Sequence, residues 1–202
     1  MSAPLEKLSS NKTFEGDLAK YKFKSAALGG LSANFNLFLP PNASLTNKVP
    51  VLIYLAGLTC TEDNGAQKGS FLGPASSQGI AILFPDTSPR GANIAGEDDD
   101  WDFGTGAGFY LNATNPKYSN HYNMYTHVTL ELPQVLEAAG LPIEGKEKYD
   151  ATELIRKSGG KERVHILVDY GTADHFYKQC QFLPDNFLKA AREAGMMNCI
   201  FR

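Results

Sequence analysis

Asp174, Cys60 and the acidic run Glu97 to Asp100 are the residues of this 202-residue chain whose type and setting most readily support chemistry. Asp174 closes Asp169-Tyr-Gly-Thr-Ala-Asp, just past the apolar run Val164 to Val168. A carboxylate on a tight turn there can orient a histidine on a neighbouring loop, as proton-transfer chemistry requires. The same residue can instead cap the turn that follows, as aspartates after strands do. His175 is adjacent, and a sequence neighbour seldom has the geometry to be its own aspartate's partner. Cys60 is either a small buried hydrophobe or a thiol beside a site. Glu97-Asp-Asp-Asp with Asp102 invites a Ca²⁺ or Mg²⁺ reading, but the spacing is not that of an EF-hand loop. A solvated loop is expected there, with no metal site and no cofactor. No G-x-S-x-G nucleophile turn occurs anywhere in the chain.

The elements that must position these residues follow from periodicity. Tyr21 to Ser25 and Ala33 to Leu39 alternate as half-buried strands, with Gly29-Gly30 as the hairpin turn between them. Pro50-Val-Leu-Ile-Tyr-Leu-Ala is a continuous apolar run, read as a strand covered on both faces and stopped by Gly57. Thr61 to Ser77 has helix-like content, with Thr61 and Asn64 as caps and Gly79 closing it. Ile80 to Phe84 is a second buried strand, so strand, helix and strand form a parallel crossover. Residues 86–123 make a loop too long and too aromatic to be idle. Met124 to Ala139 reads as a helix ended by Gly140, Ala151 to Lys157 as a short helix, Val164 to Val168 as a strand, and Pro184 to Ala194 as the last helix. One α/β domain with a mainly parallel sheet is expected, its ligands beyond the carboxyl ends of the strands.

Composition narrows the partners. The chain is 43% hydrophobic and 20% charged, which suits a packed core. A net charge of −3 disfavours nucleic acid and anionic membrane surfaces, which need a basic face. Val49 to Leu58, the longest apolar stretch, is too short to span a bilayer. The three cysteines, Cys60, Cys180 and Cys199, show no C-x-x-C spacing and read as reduced thiols. With no apolar leader segment in Met1 to Gly16, a cytoplasmic protein is expected.

Three loops then carry a family resemblance. Leu55-Ala-Gly-Leu-Thr-Cys-Thr-Glu-Asp-Asn resembles the oxyanion-loop motif of the S-formylglutathione hydrolases, also called esterase D. The whole of Pro85 to Tyr110, from Pro-Asp-Thr-Ser-Pro-Arg-Gly to Gly-Phe-Tyr, is similar to that family's longest signature. Tyr149-Asp-Ala-Thr-Glu-Leu and Gln181-Phe-Leu-Pro-Asp-Asn-Phe add matches, so the resemblance spans nearly the whole chain. It implies an α/β-hydrolase fold and a serine thioesterase releasing formate and glutathione in formaldehyde detoxification. It implies that Asp174 is the aspartate of the triad and that the Leu58 N–H holds the oxyanion after a turn permitted by Gly57. Such a donor is typically worth ~3 kcal/mol of barrier lowering. It further implies that Cys60 lies near the acyl site. Trp101, Phe103, Phe109 and Tyr110 either wall that pocket or form a satellite core, the core being preferred for Phe109, and Arg90 either pairs a glutathione carboxylate or is an ordinary surface arginine. A small-molecule thioester substrate and a homodimer complete the picture.

The departures matter equally. The family's serine lies in a Gly-His-Ser-Met-Gly-Gly turn, but here Leu141-Pro-Ile-Glu runs directly into Gly145-Lys-Glu-Lys-Tyr-Asp-Ala-Thr. The family's histidine follows the last helix, whereas this sequence stops at Arg202. The reading is therefore one shortened α/β-hydrolase domain over 1–202, with an internal deletion near 144–146, a truncation after 202, and central strands missing. Exposed sheet edges, poor solubility and no hydrolysis of a formyl thioester are expected. A non-catalytic binding or regulatory variant is the main alternative, and a general carboxylesterase the third.

Overall fold

A computed structural model describes residues 4–144, 166–168, 178, 184–196 and 199–201. The fold gathers into two compact units, Met1–Lys146 and Glu147–Arg202.

The first unit is built on a six-stranded sheet. Its strands are β1 (Glu6–Thr13), β2 (Gly16–Lys24), β3 (Ser32–Leu39), β4 (Val49–Ile53), β5 (Ala81–Pro85) and β6 (Ile143–Glu144), in the order β1-β2-β3-β5-β4-β6. The pairs β1–β2, β2–β3 and β3–β5 are antiparallel, while β4 runs parallel to both β5 and β6. The sheet is thus mixed where sequence alone suggests a mainly parallel one. β1 explains much of the difference: its residues are almost all exposed, so it has no apolar face to reveal it. Backbone pairing with β2 and the ion pairs Lys22–Glu6 (3.2 Å) and Lys12–Asp17 (2.7 Å) hold it in place.

The β2–β3 hairpin forms as its alternation predicts. Gly29 adopts φ +64°, and a Cβ there would meet the Asn120 carbonyl at 2.6 Å, so both backbone and space require glycine. Tyr21 stacks on Phe35 with centroids 5.2 Å apart, inside a core that includes Leu37, Val51, Leu83, Met124, Val128, Leu132 and Leu136. The opposite face packs Phe38, Ile82 and Phe84 on Ala66, Leu72 and Ala75 of α1 (Glu62–Lys68) and α2 (Leu72–Gln78). Helices therefore cover both faces, and β5, buried throughout, is the strand between them. β4 departs from expectation. Pro50 and Leu52 are exposed, Leu52 at 53%, while Val49 and Val51 are buried, so among the described residues this strand is covered well on one face only; Leu55, just past it, is 46% exposed.

Two expected helices are subdivided. α1 and α2 are separated at Gly69-Ser70, where Ser70 has φ +52°. The stretch from Met124 comprises α3 (Met124–Thr126), a π turn (His127–Glu131) and α4 (Leu132–Ala138). Pro133 explains the wide turn: it has no N–H for the carbonyl one turn back, and its ring pushes that carbonyl away.

The second unit pairs β7 (Ile166–Val168) in parallel with β8 (Cys199–Phe201). Its helix α5 (Pro184–Glu193) buries Ala190 and Ala191 with Met196. The short helix expected at 151–157 lies outside the described residues, as do Asp174 and His175.

Candidate functional site

The first loop beyond a strand end is a turn of defined shape. Past β4, Tyr54 N–H donates to Leu83 O (2.8 Å), so parallel pairing persists one residue further. The chain then reverses: Cys60 N–H donates to Gly57 O at 3.3 Å, with Leu58 and Thr59 between them. Thr59 occupies the left-handed region at φ +60°, a costly place for a β-branched residue. Gly57 does not adopt a left-handed φ, and a Cβ there would meet nothing within 4 Å. The conformational role expected of Gly57 thus belongs to Thr59, and Gly57 leaves open space beside the turn. Among the described residues the Leu58 N–H has no acceptor, whereas its neighbours Thr59 and Cys60 both donate. Thr61 then caps α1 and Asn64 closes the capping box, as the spacing predicts.

The long loop 86–123 grips this turn from several sides. Thr59 N–H donates to Gly106 O (2.8 Å), and Tyr110 OH donates to Ala56 O (2.9 Å). The Cys60 carbonyl accepts from Thr87 Oγ1 (2.5 Å) and from Arg90 Nη2 (3.0 Å). The loop folds tightly upon itself: Gly104 has φ +59°, and a Cβ there would collide with the Glu97 backbone. Burial pushes the Tyr110 hydroxyl far above its ordinary pKa, so it stays a proton donor to Ala56. A third anchor lies behind α1, where Lys20 Nζ pairs Glu62 (2.8 Å) and Asp63 (2.7 Å). Asn36 Nδ2 donates to Glu62 O and to Asp63, both at 2.9 Å.

Arg90 differs from its expected role. Its guanidinium meets Asp86 through Nε (3.0 Å) and Nη2 (2.8 Å), and the buried Asp86 also accepts Thr87 N–H (2.6 Å). Hydrogen bonding to Asp86 raises the Arg90 pKa above its ordinary value. A side chain neutralised by its own aspartate and tied to a backbone carbonyl is engaged within the protein and poorly placed to capture a substrate carboxylate.

The Esterase family model matches residues 25–141. The mouse S-formylglutathione hydrolase is 37% identical over 246 aligned residues, covering 94% of this chain and 86% of the mouse protein. The Arabidopsis thaliana S-formylglutathione hydrolase is 36% identical, covering 96% of this chain and 88% of that one. The chain belongs to the S-formylglutathione hydrolase family. A solved S-formylglutathione hydrolase from Agrobacterium tumefaciens superposes with a TM-score of 0.74 at 26% identity, covering 98% of this chain and 90% of that one, which gives the α/β-hydrolase fold. The mouse alignment is longer than the 202 residues of this chain, so the relative carries residues with no counterpart here.

The remaining expected site residues are placed unevenly in this family member. Cys60 is a free, partly buried thiol directly on the turn. Trp101 packs its backbone carbonyl against Gly106, next to the Thr59 anchor, but its side chain lies 66% exposed. Glu97 is not solvated as its acidic run suggests. It is buried, accepting Tyr122 OH (2.7 Å) and Ile94 N–H (3.1 Å). Asp98 to Asp100 are exposed, and no cluster suited to a metal ion occurs among the described residues.

One constellation escaped the sequence reading entirely. Ser25, His127 and Glu131 meet in the first unit, with Ser25 and His127 fully buried. Their geometry is not that of a triad, in which serine and carboxylate address opposite ring nitrogens. Here Glu131 Oε2 accepts from His127 Nδ1 (2.7 Å) and from Ser25 Oγ, and Ser25 Oγ lies 3.3 Å from the same Nδ1. Glu131 Oε1 takes Ala27 N–H (3.1 Å), and Ser25 Oγ accepts Leu28 N–H (3.0 Å). Ser25 Oγ, His127 Nδ1 and both Glu131 oxygens are thus paired, and the hydroxyl proton points at the carboxylate. Burial alone would raise the Glu131 pKa, but hydrogen bonds from His127, Ser25 and Ala27 overcome it and hold the carboxyl below its usual value. This is a staple between hairpin and helix. The His127–Glu131 spacing of four signals the pair, but nothing in the sequence links either to Ser25.

Proposed function

We propose that the first unit carries the oxyanion-binding half of a serine thioesterase site for S-formylglutathione, and that this chain does not itself turn the thioester over. The observation that carries the reading is the Leu58 N–H, unpaired among the described residues just before two turn N–H groups, those of Thr59 and Cys60, that are bonded. In acyl transfer the carbonyl oxygen gains negative charge as a nucleophile attacks, and a fixed backbone N–H stabilises it without reorganisation. Gly57 leaves room for the acyl group to approach. Asp174 is assigned the orienting of a histidine, and Cys60 is assigned a place at the mouth of the acyl site, making the site sensitive to thiol reagents. Trp101 is retained as a rim residue. The leaving thiolate needs little assistance, since a thiol with pKa near ~8.5 departs more readily than an alkoxide.

The absence of turnover follows from an internal feature. No G-x-S-x-G turn occurs between Glu144 and Tyr149 or elsewhere, so nothing presents an activated serine hydroxyl to a carbonyl at Leu58. Ser25 cannot substitute, because it is buried and its proton is held by Glu131. We assign the chain to the formaldehyde-clearing branch of cytoplasmic thiol metabolism, as a non-hydrolysing homodimeric variant of the family.

The test has two readouts on the purified chain. S-Formylglutathione is expected to disappear at the spontaneous rate, and a fluorophosphonate probe to label no serine. In the ¹⁵N-labelled chain, the Leu58 amide resonance is expected to shift on titration with the more stable S-acetylglutathione. Turnover with a labelled serine would overturn the non-hydrolysing reading, and an unmoved Leu58 resonance would overturn the oxyanion reading.

A further inference from the structure

We infer that Arg90, braced by Asp86, is a positioning residue that holds the oxyanion turn in register through the Cys60 carbonyl. The inference rests on the reading of Leu58 as the oxyanion donor. The Cys60 carbonyl is the first acceptor beyond the turn, so fixing it fixes the peptide plane that ends the Gly57–Cys60 reversal. Two donors converge on it from one loop, Thr87 Oγ1 at 2.5 Å and Arg90 Nη2 at 3.0 Å. Arg90 reaches it with a guanidinium already oriented by two bonds to Asp86, a residue immediately past β5. The planar fork is what permits one side chain to serve a carboxylate and a carbonyl at once. An ammonium, as a point charge on a flexible stem, lacks that paired geometry.

The turn needs such bracing. Thr59 sits at φ +60°, a conformation a β-branched residue leaves unless its surroundings impose it. Its own N–H is fixed from one side by Gly106 O, and the Arg90–Thr87 pair fixes the other end. With one anchor lost, Thr59 relaxes toward ordinary backbone and the Leu58 N–H swings from its direction. Asp86 and Arg90 therefore act on the carbonyl-binding position without touching a substrate.

The test uses the Cys60 thiol as a reporter on the turn itself. Iodoacetamide alkylation is followed at the Cys60 peptide by mass spectrometry, in the unaltered chain and in Arg90→Ala, Arg90→Lys and Thr87→Val, each with its melting temperature. Arg90→Ala is expected to change the Cys60 rate about tenfold, the equivalent of one hydrogen bond to a charged group. Millimolar methylguanidinium is expected to restore the original rate, which a general loss of packing would not allow. Arg90→Lys, the safer variant to fold, is expected to lie between, and Thr87→Val to show a smaller change of the same sign. A Cys60 rate unchanged in Arg90→Lys and in Arg90→Ala, or a change that methylguanidinium fails to reverse, overturns the inference. Failure of the underlying reading looks different: the Leu58 resonance of the unaltered chain then ignores S-acetylglutathione, whatever Cys60 does.

Discussion

The Gly57–Cys60 turn and the Ser25–His127–Glu131 staple are both polar clusters tied to distant parts of the first unit, yet they are built to opposite ends. The staple uses every donor: two side chains and one backbone N–H converge on a single carboxylate. The turn is gripped as firmly, by Gly106, Thr87, Arg90 and Tyr110, but leaves the Gly57 and Leu58 N–H groups without an acceptor among the described residues. The staple contains the residue types of a hydrolase triad in a geometry unlike one, while the turn contains none of them and is the part to which we assign the oxyanion. A site of this kind is recognised by an oriented group left unsatisfied, not by the names of its side chains.

Removing the acceptor of the staple should have the largest effect. Glu131→Ala strands Ser25 Oγ, His127 Nδ1 and Ala27 N–H in the interior and should cost about 3 kcal/mol, as breaking a buried charged network does. Denaturant unfolding monitored by circular dichroism measures it, and the Cys60 alkylation rate of the folded fraction should not change. A loss of stability below ~1 kcal/mol would show that the staple is not satisfied as described.

The staple should also give stability an acid dependence. Glu131 and Asp63 both have pKa values lowered in the folded state; for each, burial alone would act the other way, and hydrogen bonding wins. The unfolded chain binds more protons through that range, so stability is present above the ordinary carboxylate pKa and lost as pH falls through the folded-state values. Melting temperatures between about pH 6 and about pH 3 should fall more steeply in the unaltered chain than in Glu131→Gln. Equal slopes would remove Glu131 from the account.

The turn responds to subtler changes. Thr59→Gly should relieve a left-handed β-branched residue and stabilise by up to about 1 kcal/mol, offset in part by glycine's freedom in the unfolded chain. Gly57→Ala should be smallest, within about 0.5 kcal/mol of no effect, because the added methyl enters open space at a permitted φ. Thermal melts rank the two. A strongly destabilised Gly57→Ala would return the conformational role to Gly57.

Much of the fold was legible because burial writes periodicity into sequence. β5 shows as a continuous apolar run, the β2–β3 hairpin as alternation on either side of Gly29-Gly30, and Thr61 with Asn64 as a capping box. β1 was illegible because it buries almost nothing. The exposure of Leu52 and Leu55 was illegible because an apolar run does not state how many faces are covered. In the site, the family motif marks the turn in the sequence, but the partners of the side chains around it come from distant positions. Arg90 is engaged by Asp86, four residues earlier, a partner that residue type alone does not announce. Ser25 and His127 meet across 102 positions of sequence, a pairing no local pattern encodes.

Native-state hydrogen exchange at Leu58 and Thr59, resolved by NMR with and without S-acetylglutathione, tests the central claim most directly. The account predicts rapid exchange at Leu58 beside slow exchange at Thr59 in the free chain, and slowing at Leu58 alone when the thioester is added. Protection of Leu58 equal to that of Thr59 in the free chain, or an exchange rate at Leu58 indifferent to the thioester, would contradict it.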